Sequence, residues 1–251
     1  MNQKQKTILV TGAAGGIGST VVKNFALKNQ KVIINFLKSE KKANQLRKEI
    51  NDRHGKDTAF VFKADVTQRS EVKNMFDFAY EKCGRIDVLV NNAGINIDRP
   101  FLEMHDDEWT KVITTILTGT FICSQEFAKR YKGNAGHIIN IGALTAIRGR
   151  KNGVNYCTAR AGVVNLTKCM ALELAPNIKV NCVTPGWIET DELVERYQLH
   201  NEENYRKAVS TIPLEKLGSP DDIFRMIHFI VNDSTYVTGQ NFFVDGGYLM
   251  Y

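Results

Sequence analysis

Thr7-Ile8-Leu9-Val10-Thr11-Gly12-Ala13-Ala14-Gly15-Gly16-Ile17-Gly18 is a short apolar run that breaks into a glycine-rich turn. From about Gly16 to Lys28 the apolar residues recur at helical spacing, and Lys31-Val32-Ile33-Ile34 is again strand-like, so this opening segment reads as a βαβ unit. Glycines between a strand and a helix permit a tight turn. They also let backbone N–H groups approach a pyrophosphate at the helix N-terminus, where the dipole favours negative charge. That placement predicts a dinucleotide site with Gly12, Gly16, Ile17 and Gly18 at its phosphate end.

The rhythm continues outward from this unit. Helix Glu40–His54, strand Thr58–Phe62, helix Ser70–Cys83, strand Ile86–Val90, helix Asp106–Tyr131, strand His137–Ile141, helix Tyr156–Leu174 and strand Ile178–Val183 follow in order. Strands that read as continuous apolar runs are buried on both faces, which predicts an α/β fold: a doubly wound, mostly parallel, Rossmann-type sheet with helices on both faces. Pro176 ends the long helix, a less regular stretch runs from Pro185 to about Pro213, and helix Asp221–Val231 and strand Asn241–Val244 close the pattern. No linker divides the chain, so residues 1–251 read as a single dinucleotide-binding domain. The 186–213 excursion follows the carboxyl end of a strand, where ligands sit in such sheets, and is placed to act as a substrate lid.

Composition removes several function classes. The 251 residues are 43% hydrophobic and 24% charged, as in an ordinary globular protein. A formal charge of +6 comes without any basic run, which argues against a nucleic-acid partner. The apolar runs are strand-sized, short of the ~20 residues that cross a membrane. Met1 to Lys6 carries no apolar signal region, so a cytoplasmic location is expected. Five cysteines form no Cys-x-x-Cys pair and five histidines have no ligand spacing, so no metal is expected. A Gly-x-Ser-x-Gly nucleophile elbow is missing as well. Arg148, Arg150 and Lys151 read as a solvated basic loop near the mouth of the expected site, with a receiver of a phosphate or of an acidic carrier protein as the alternative.

The pattern Thr-Gly-x-x-x-Gly-x-Gly at Thr11–Gly18 resembles the short-chain dehydrogenase/reductase family, and other segments agree: Asn91-Asn92-Ala93-Gly94, Pro185-Gly186 and Val244-Asp245-Gly246-Gly247. The resemblance covers residues 7–251 and is nearest to the β-ketoacyl carrier-protein reductase branch. It implies that Asp65 and Val66 flank an adenine, that Asn92, Ala93 and Gly94 meet the adenosine ribose, and that Pro185, Gly186, Ile188 and Thr190 lie at the nicotinamide. After the second strand the residues are Asn35-Phe36-Leu37-Lys38-Ser39. No carboxylate stands there to bond a ribose 2′-hydroxyl, whereas Lys38 and Ser39 supply a cation and a hydroxyl to a 2′-phosphate, so NADP(H) is expected over NAD(H).

In relatives of this kind a Tyr-x-x-x-Lys pair performs the proton chemistry, since residues i and i+4 share a helix face. Here Tyr156 is kept and the lysine position is Arg160; the serine position is Ala143, and the position of the asparagine that supports a proton-relay water is Ile116. A guanidinium ~5 Å from the ring at an effective dielectric of ~20 favours a phenolate by on the order of 3 kcal/mol. Arginine cannot deprotonate, however, and is a poor proton conduit. Ala143 lacks a donor whose loss elsewhere costs roughly 2.7–4 kcal/mol; Thr145, Asn155 and Arg148 are the candidate replacements.

The expected activity is an NADPH-dependent reduction of a ketone, with a 3-oxoacyl thioester as one candidate substrate, Tyr156 and Arg160 as the catalytic pair and an acyl carrier protein as a candidate partner. The alternatives are a catalytically impaired cofactor-binding partner of an active homologue and a non-redox lyase or isomerase. By resemblance the segment from Tyr236 to Tyr251 packs across a twofold interface, which implies a homotetramer or a heterotetramer with a homologue.

Overall fold

Residues 5–250 are described in the structure, a computed structural model, and their strands assemble by a simple alternation. In β1 (Thr7–Val10) the side chains of Ile8 and Val10 enter one hydrophobic layer and Leu9 enters the other. The same alternation recurs in β2 (Lys31–Phe36), where Val32 and Ile34 oppose Ile33. Successive residues of a strand point to opposite faces, so a run that is apolar throughout must be covered on both.

The covering helices follow in chain order. They include α1 (Gly16–Leu27), α2 (Glu40–His54) after β2, and α3 (Arg69–Cys83) after β3 (Ala59–Lys63). Beyond β4 (Val88–Asn91) come α4 (Asp106–Ile113), α5 (Gly119–Arg130), β5 (Gly136–Ile141), the short α6 (Thr145–Arg148), α7 (Val154–Leu174) and β6 (Ile178–Pro185). Two short helices, α8 (Asp191–Tyr197) and α9 (Glu202–Val209), precede α10 (Pro220–Asn232) and β7 (Asn241–Val244). The seven strands form one parallel sheet in the order β3-β2-β1-β4-β5-β6-β7. Phe25 of α1 and Phe224 of α10 meet edge to face at 5.2 Å in one layer, whereas Met75 and Phe76 of α3 and Phe127 of α5 fill the other.

After β3 the chain returns to pair β4 beside β1, with Val10 opposite Val90. The strand order reverses there, and the two diverging loops open a crevice at the carboxyl ends.

Three local differences from the sequence reading have physical causes. The expected continuous helix Asp106–Tyr131 is interrupted by a π-helical turn at Thr114–Thr118, in which the Gly119 N–H reaches the Thr114 carbonyl. A Cβ at Gly119 would stand 2.8 Å from Val66 Cγ2, so the glycine lets this turn press on the loop after β3. The 185–213 stretch is less irregular than expected. Thr190 and Asn201 cap α8 and α9 with side-chain oxygens, at 3.3 Å to the Leu193 N–H and 2.9 Å to the Glu203 N–H. Strand β6 continues through Pro185, because β7 pairs with it over Cys182–Pro185.

At the opposite end of the sheet, His137 on β5 is only 4% exposed and its Nδ1 has no described partner. Burial, with Lys179 and Lys6 nearby, pushes its pKa down to about 4 from the ordinary 6.5. The folded protein therefore holds this ring neutral while the unfolded chain protonates it. Stability from this group is complete above about pH 6.5 and falls as the pH drops towards 4, by about 3 kcal/mol in all. Replacement of His137 by Leu should flatten that part of the acid limb. Urea unfolding at pH 7 and pH 4.5 would show a smaller loss for the variant than for wild type.

Candidate active site

The glycine-rich turn is held from below by side chains of its neighbours. Asn35 Oδ1 accepts the Gly12 N–H at 3.1 Å, and Asn35 Nδ2 donates to the Ala64 carbonyl at 3.0 Å. Thr11 Oγ1 accepts the N–H groups of Asn92 and Ala93, both at 3.0 Å, and Asn92 Nδ2 donates back to the carbonyls of Thr11 and Gly12 at 2.9 and 3.0 Å. Gly12 has φ +60°, and a Cβ on it would lie 2.9 Å from Ala93 Cα. Only glycine meets both conditions.

Every residue expected at the dinucleotide site except Gly18 lines one cleft of about 990 Å³. Gly18 sits beneath the turn, where a Cβ would approach Asn92 Nδ2 at 2.7 Å and Ala13 Cα at 2.9 Å, so its absence of a side chain serves packing. Asn35 and Asn92 touch the cleft, but their amides are committed to the turn, and their side chains act on the backbone. At one end Lys38, Ser39 and Lys42 form an exposed basic wall. Asp65 is shaped by its own turn, its Oδ1 accepting the Thr67 N–H at 2.9 Å. Gly186 and Asp245 lie so close that a Cβ on the glycine would be 2.5 Å from Asp245 Cα, and the Asp245 carboxylate caps the following turn through the N–H groups of Gly247 and Leu249.

At the other end stands Tyr156, on the first turn of α7. The side chain of Asn155 fixes that turn: Oδ1 accepts the Tyr156 N–H at 2.7 Å and Nδ2 donates to the Ile97 carbonyl at 3.0 Å. Asn155 is thereby fully occupied and is not a replacement donor. The Tyr156 hydroxyl is bonded to no described protein group although its ring lines the cleft. One turn later Arg160, 6% exposed, brings its Cζ to 5.3 Å from the Tyr156 ring centroid and donates from Nη1 to the Ile141 carbonyl at 2.6 Å. Its Nε is buried without a described partner. Ile116 is fully buried with Val112, Ala159 and Val163, and its carbonyl accepts the Thr120 hydroxyl at 2.7 Å. A hydrophobic wall and a hydroxyl thus occupy the place of the polar relay.

Ala143 lines the cleft and carries no donor. Of the three replacements considered, Arg148 and Thr145 both line the cleft; Arg148 is exposed and lies over the Tyr248 ring at 4.6 Å, and the Thr145 Oγ1 is buried without any described partner. The reading of Arg150 as a solvated cation is corrected: it is partly buried, bonded to Asn96 and Asp98, and 5.5 Å from the Tyr156 ring centroid. Its Asp98 partner lies 52 residues away, and no local pattern could have revealed it. Trp187, Tyr197 and Tyr248 also line the cleft and were not singled out by the sequence; single aromatics in a loop carry no periodic signal.

The sheet order and the crevice define a Rossmann-type nucleotide-binding fold. A family model described as enoyl-(acyl carrier protein) reductase matches residues 12–249. The chain belongs to the short-chain dehydrogenase/reductase family of oxidoreductases. It is 38% identical to a 3-oxoacyl-[acyl-carrier-protein] reductase of Synechocystis over 97% of this chain and 96% of that one. It is also 38% identical to the Thermotoga maritima protein of that name, over 98% and 99%. Among solved structures, a short chain dehydrogenase from Bacillus anthracis superposes with TM-score 0.87 at 29% identity, covering 98% of this chain and 97% of that one. A putative gluconate dehydrogenase from Agrobacterium tumefaciens gives 0.89 at 32%, covering 98% and 96%. No helix of the described residues is long and apolar enough to cross a membrane.

Replacing Gly12 by Ala would force a left-handed side chain against Ala93, at a cost of at least about 2 kcal/mol. Chemical denaturation should register that loss together with weaker dinucleotide binding, whereas Gly15→Ala, with open space around its Cβ position, should cost far less stability.

Proposed function

We propose that the protein is an NADP(H)-dependent reductase of a ketone, with Tyr156 as the proton donor. The observation that carries this reading is the Tyr156 hydroxyl, which reaches the cleft with no described protein partner and has the Arg160 guanidinium against its ring.

A dinucleotide fits the residues present. No atom lies within 4 Å of a Cβ position on Gly15, so the turn is open to a phosphate, and the buried Arg160 Nε is a donor awaiting an acceptor. Gly12, Gly16 and Ile17 would hold the pyrophosphate, with Gly18 closing the turn from beneath. Asn35, Lys38 and Ser39 would border the 2′-phosphate, Asp65 and Val66 the adenine, and Asn92, Ala93 and Gly94 the adenosine ribose. Pro185, Gly186, Ile188 and Thr190 would meet the nicotinamide. The exposed cations Lys38 and Lys42, with no carboxylate among residues 35–39 at the end of β2, favour NADPH over NADH.

Bound there, the nicotinamide would supply hydride to the substrate carbonyl. Tyr156 Oη would give its proton to the carbonyl oxygen, and Arg160 would favour the phenolate left behind while remaining charged throughout. Thr145 Oγ1 would stand in for the donor that Ala143 lacks. With Ile116 and Thr120 sealing the relay position, the phenolate would be reprotonated from the cleft. The segment 186–213 would act as the lid over the substrate, and residues 1–251 as one catalytic domain.

The names of the Synechocystis and Thermotoga maritima relatives support a 3-oxoacyl thioester as substrate and an acyl carrier protein as its bearer.

NADPH oxidation followed against 3-oxoacyl thioesters and simple ketones tests the reading. Wild type should turn over, Tyr156→Phe should lose at least about 100-fold in kcat, and Ala143→Ser should gain about 10- to 100-fold. Lys38→Glu should move the preference towards NADH by about tenfold. An inert wild type that gains turnover only with Ala143→Ser and Arg160→Lys together would point instead to a partner subunit that has lost the chemistry.

A further inference from the structure

Asp98 and Arg150 join three segments that the sheet leaves separate: the loop after β4, the loop before α7, and α8 across the mouth of the cleft. Arg150 Nη1 donates to Asp98 Oδ2 at 2.9 Å, and Nη2 donates to Asp98 Oδ1 at 2.5 Å and to Asn96 Oδ1 at 2.9 Å. From α8, Arg196 Nη1 donates to the same Asp98 Oδ2 at 3.3 Å, and Tyr197 Oη accepts from Arg150 Nη1 at 3.4 Å. Tyr197 in turn packs on Trp187, with ring centroids 4.8 Å apart. The loop before α7 has its own tie to the Asp98 segment, since the Arg99 N–H donates to the Asn152 carbonyl at 2.8 Å.

The other side of Arg150 faces the chemistry. Its Cζ lies 5.5 Å from the Tyr156 ring centroid, and the Arg160 Cζ lies 5.3 Å from the same centroid, so the ring is in contact with two guanidinium groups. A ring with cations held against it has a preferred orientation. Arg160, on α7, is fixed from the sheet by the Ile141 carbonyl at the end of β5. Arg150 is fixed from outside, by a carboxylate that also holds α8.

We propose that Asp98 is a latch and Arg150 a positioning residue, so that closing α8 over the cleft and seating the Tyr156 ring are a single event. One carboxylate accepts from both cations. When Arg196 reaches Asp98 from α8, the same oxygen that anchors the helix also holds the Arg150 fork in the plane that meets the ring. Asp98 is about a third exposed, and ion pairs of that exposure are individually weak, which suits a latch that must open for substrate and product. Neutral Asn at position 98 keeps an acceptor but loses the charge that holds two guanidinium groups together. The catalytic consequence rests on Tyr156 being the proton donor; the mechanical coupling does not.

Hydrogen exchange measured by mass spectrometry on the full chain tests the coupling without any need for turnover. Asp98→Asn should raise exchange at least about threefold both in 191–197 and in the start of α7 at 154–160. Arg196→Met, a change at the rim with no contact to Tyr156, should loosen both segments together. If Arg196→Met loosens 191–197 and leaves 154–160 at the wild-type rate, the two are uncoupled and the proposal fails; unchanged exchange in both segments of Asp98→Asn overturns it equally. Should Asp98→Asn fail to fold, Arg196→Met decides alone.

A second arm separates positioning from mere support. Arg150→Met should lower kcat for ketone reduction by about tenfold with the KM for NADPH unchanged, and methylguanidine added to Arg150→Ala should restore part of the rate. A fall in stability without rescue would assign Arg150 a structural role only. If no ketone is reduced by wild type, the reductase reading fails while the exchange experiment still decides the latch.

Discussion

The clamp between Thr11 and Asn92 is the interaction on which the cleft depends. β1 and β4 run parallel, Val10 opposite Val90 with β4 one residue longer, so the first residues past each strand meet where the backbone leaves the sheet. Thr11 and Asn92 meet that need reciprocally, a hydroxyl accepting two N–H groups and an amide donating to two carbonyls. Each such bond contributes about 1 kcal/mol net, but a buried backbone group left unmatched costs about 1–3 kcal/mol. The glycine-rich turn is therefore held in one conformation by its neighbour across the switch point as much as by its own glycines.

A second polar chain carries that order to α7. Asn91 Nδ2 donates to Ser124 Oγ on α5 and to Asn140 Oδ1 on β5, both at 2.9 Å; Asn140 Nδ2 donates to Thr167 Oγ1 on α7 at 2.8 Å. All four side chains are buried. A hydrophobic interface can slide by a fraction of a turn with little loss, whereas a buried amide out of register loses its partners outright. This chain sets the rotation and height of α7 against the sheet, and Asn155 then sets its first turn, so that Tyr156 enters the cleft in a defined place.

The replacements near Tyr156 belong together physically. A Cβ on Gly94 would stand 3.6 Å from both Arg160 Cζ and Ile116 Cγ1, so the guanidinium and the isoleucine share one face of that glycine. The larger side chain at 160 is accommodated because Gly94 leaves room for it and because the Ile141 carbonyl accepts its Nη1. In Ile116→Asn, a polar amide would enter a cluster of Val112, Ala159 and Val163, where it would need a partner to avoid a desolvation cost. Reverting one position alone is therefore a packing change as well as a chemical one.

The sheet, its parallel sense and most of its helices were legible in the chain, because strands apolar at every position must be covered on both faces and because Thr11–Gly18 stands between a strand and a helix. Tyr156 and Arg160 were legible as neighbours, since four residues make one helical turn. The π-helical turn at Thr114–Thr118 was hidden, because its apolar spacing is that of an ordinary helix. The commitment of Asn35 and Asn92 to the backbone, the bonding of Arg160 to Ile141, and the joining of Asp98, Arg150 and Arg196 depend on groups that come from different strand ends. Local periodicity determines which face of an element is buried. Which polar groups meet at the carboxyl ends of the strands is decided only when the sheet has set their order and register, since a hydrogen bond depends on distance and direction, not on separation along the chain.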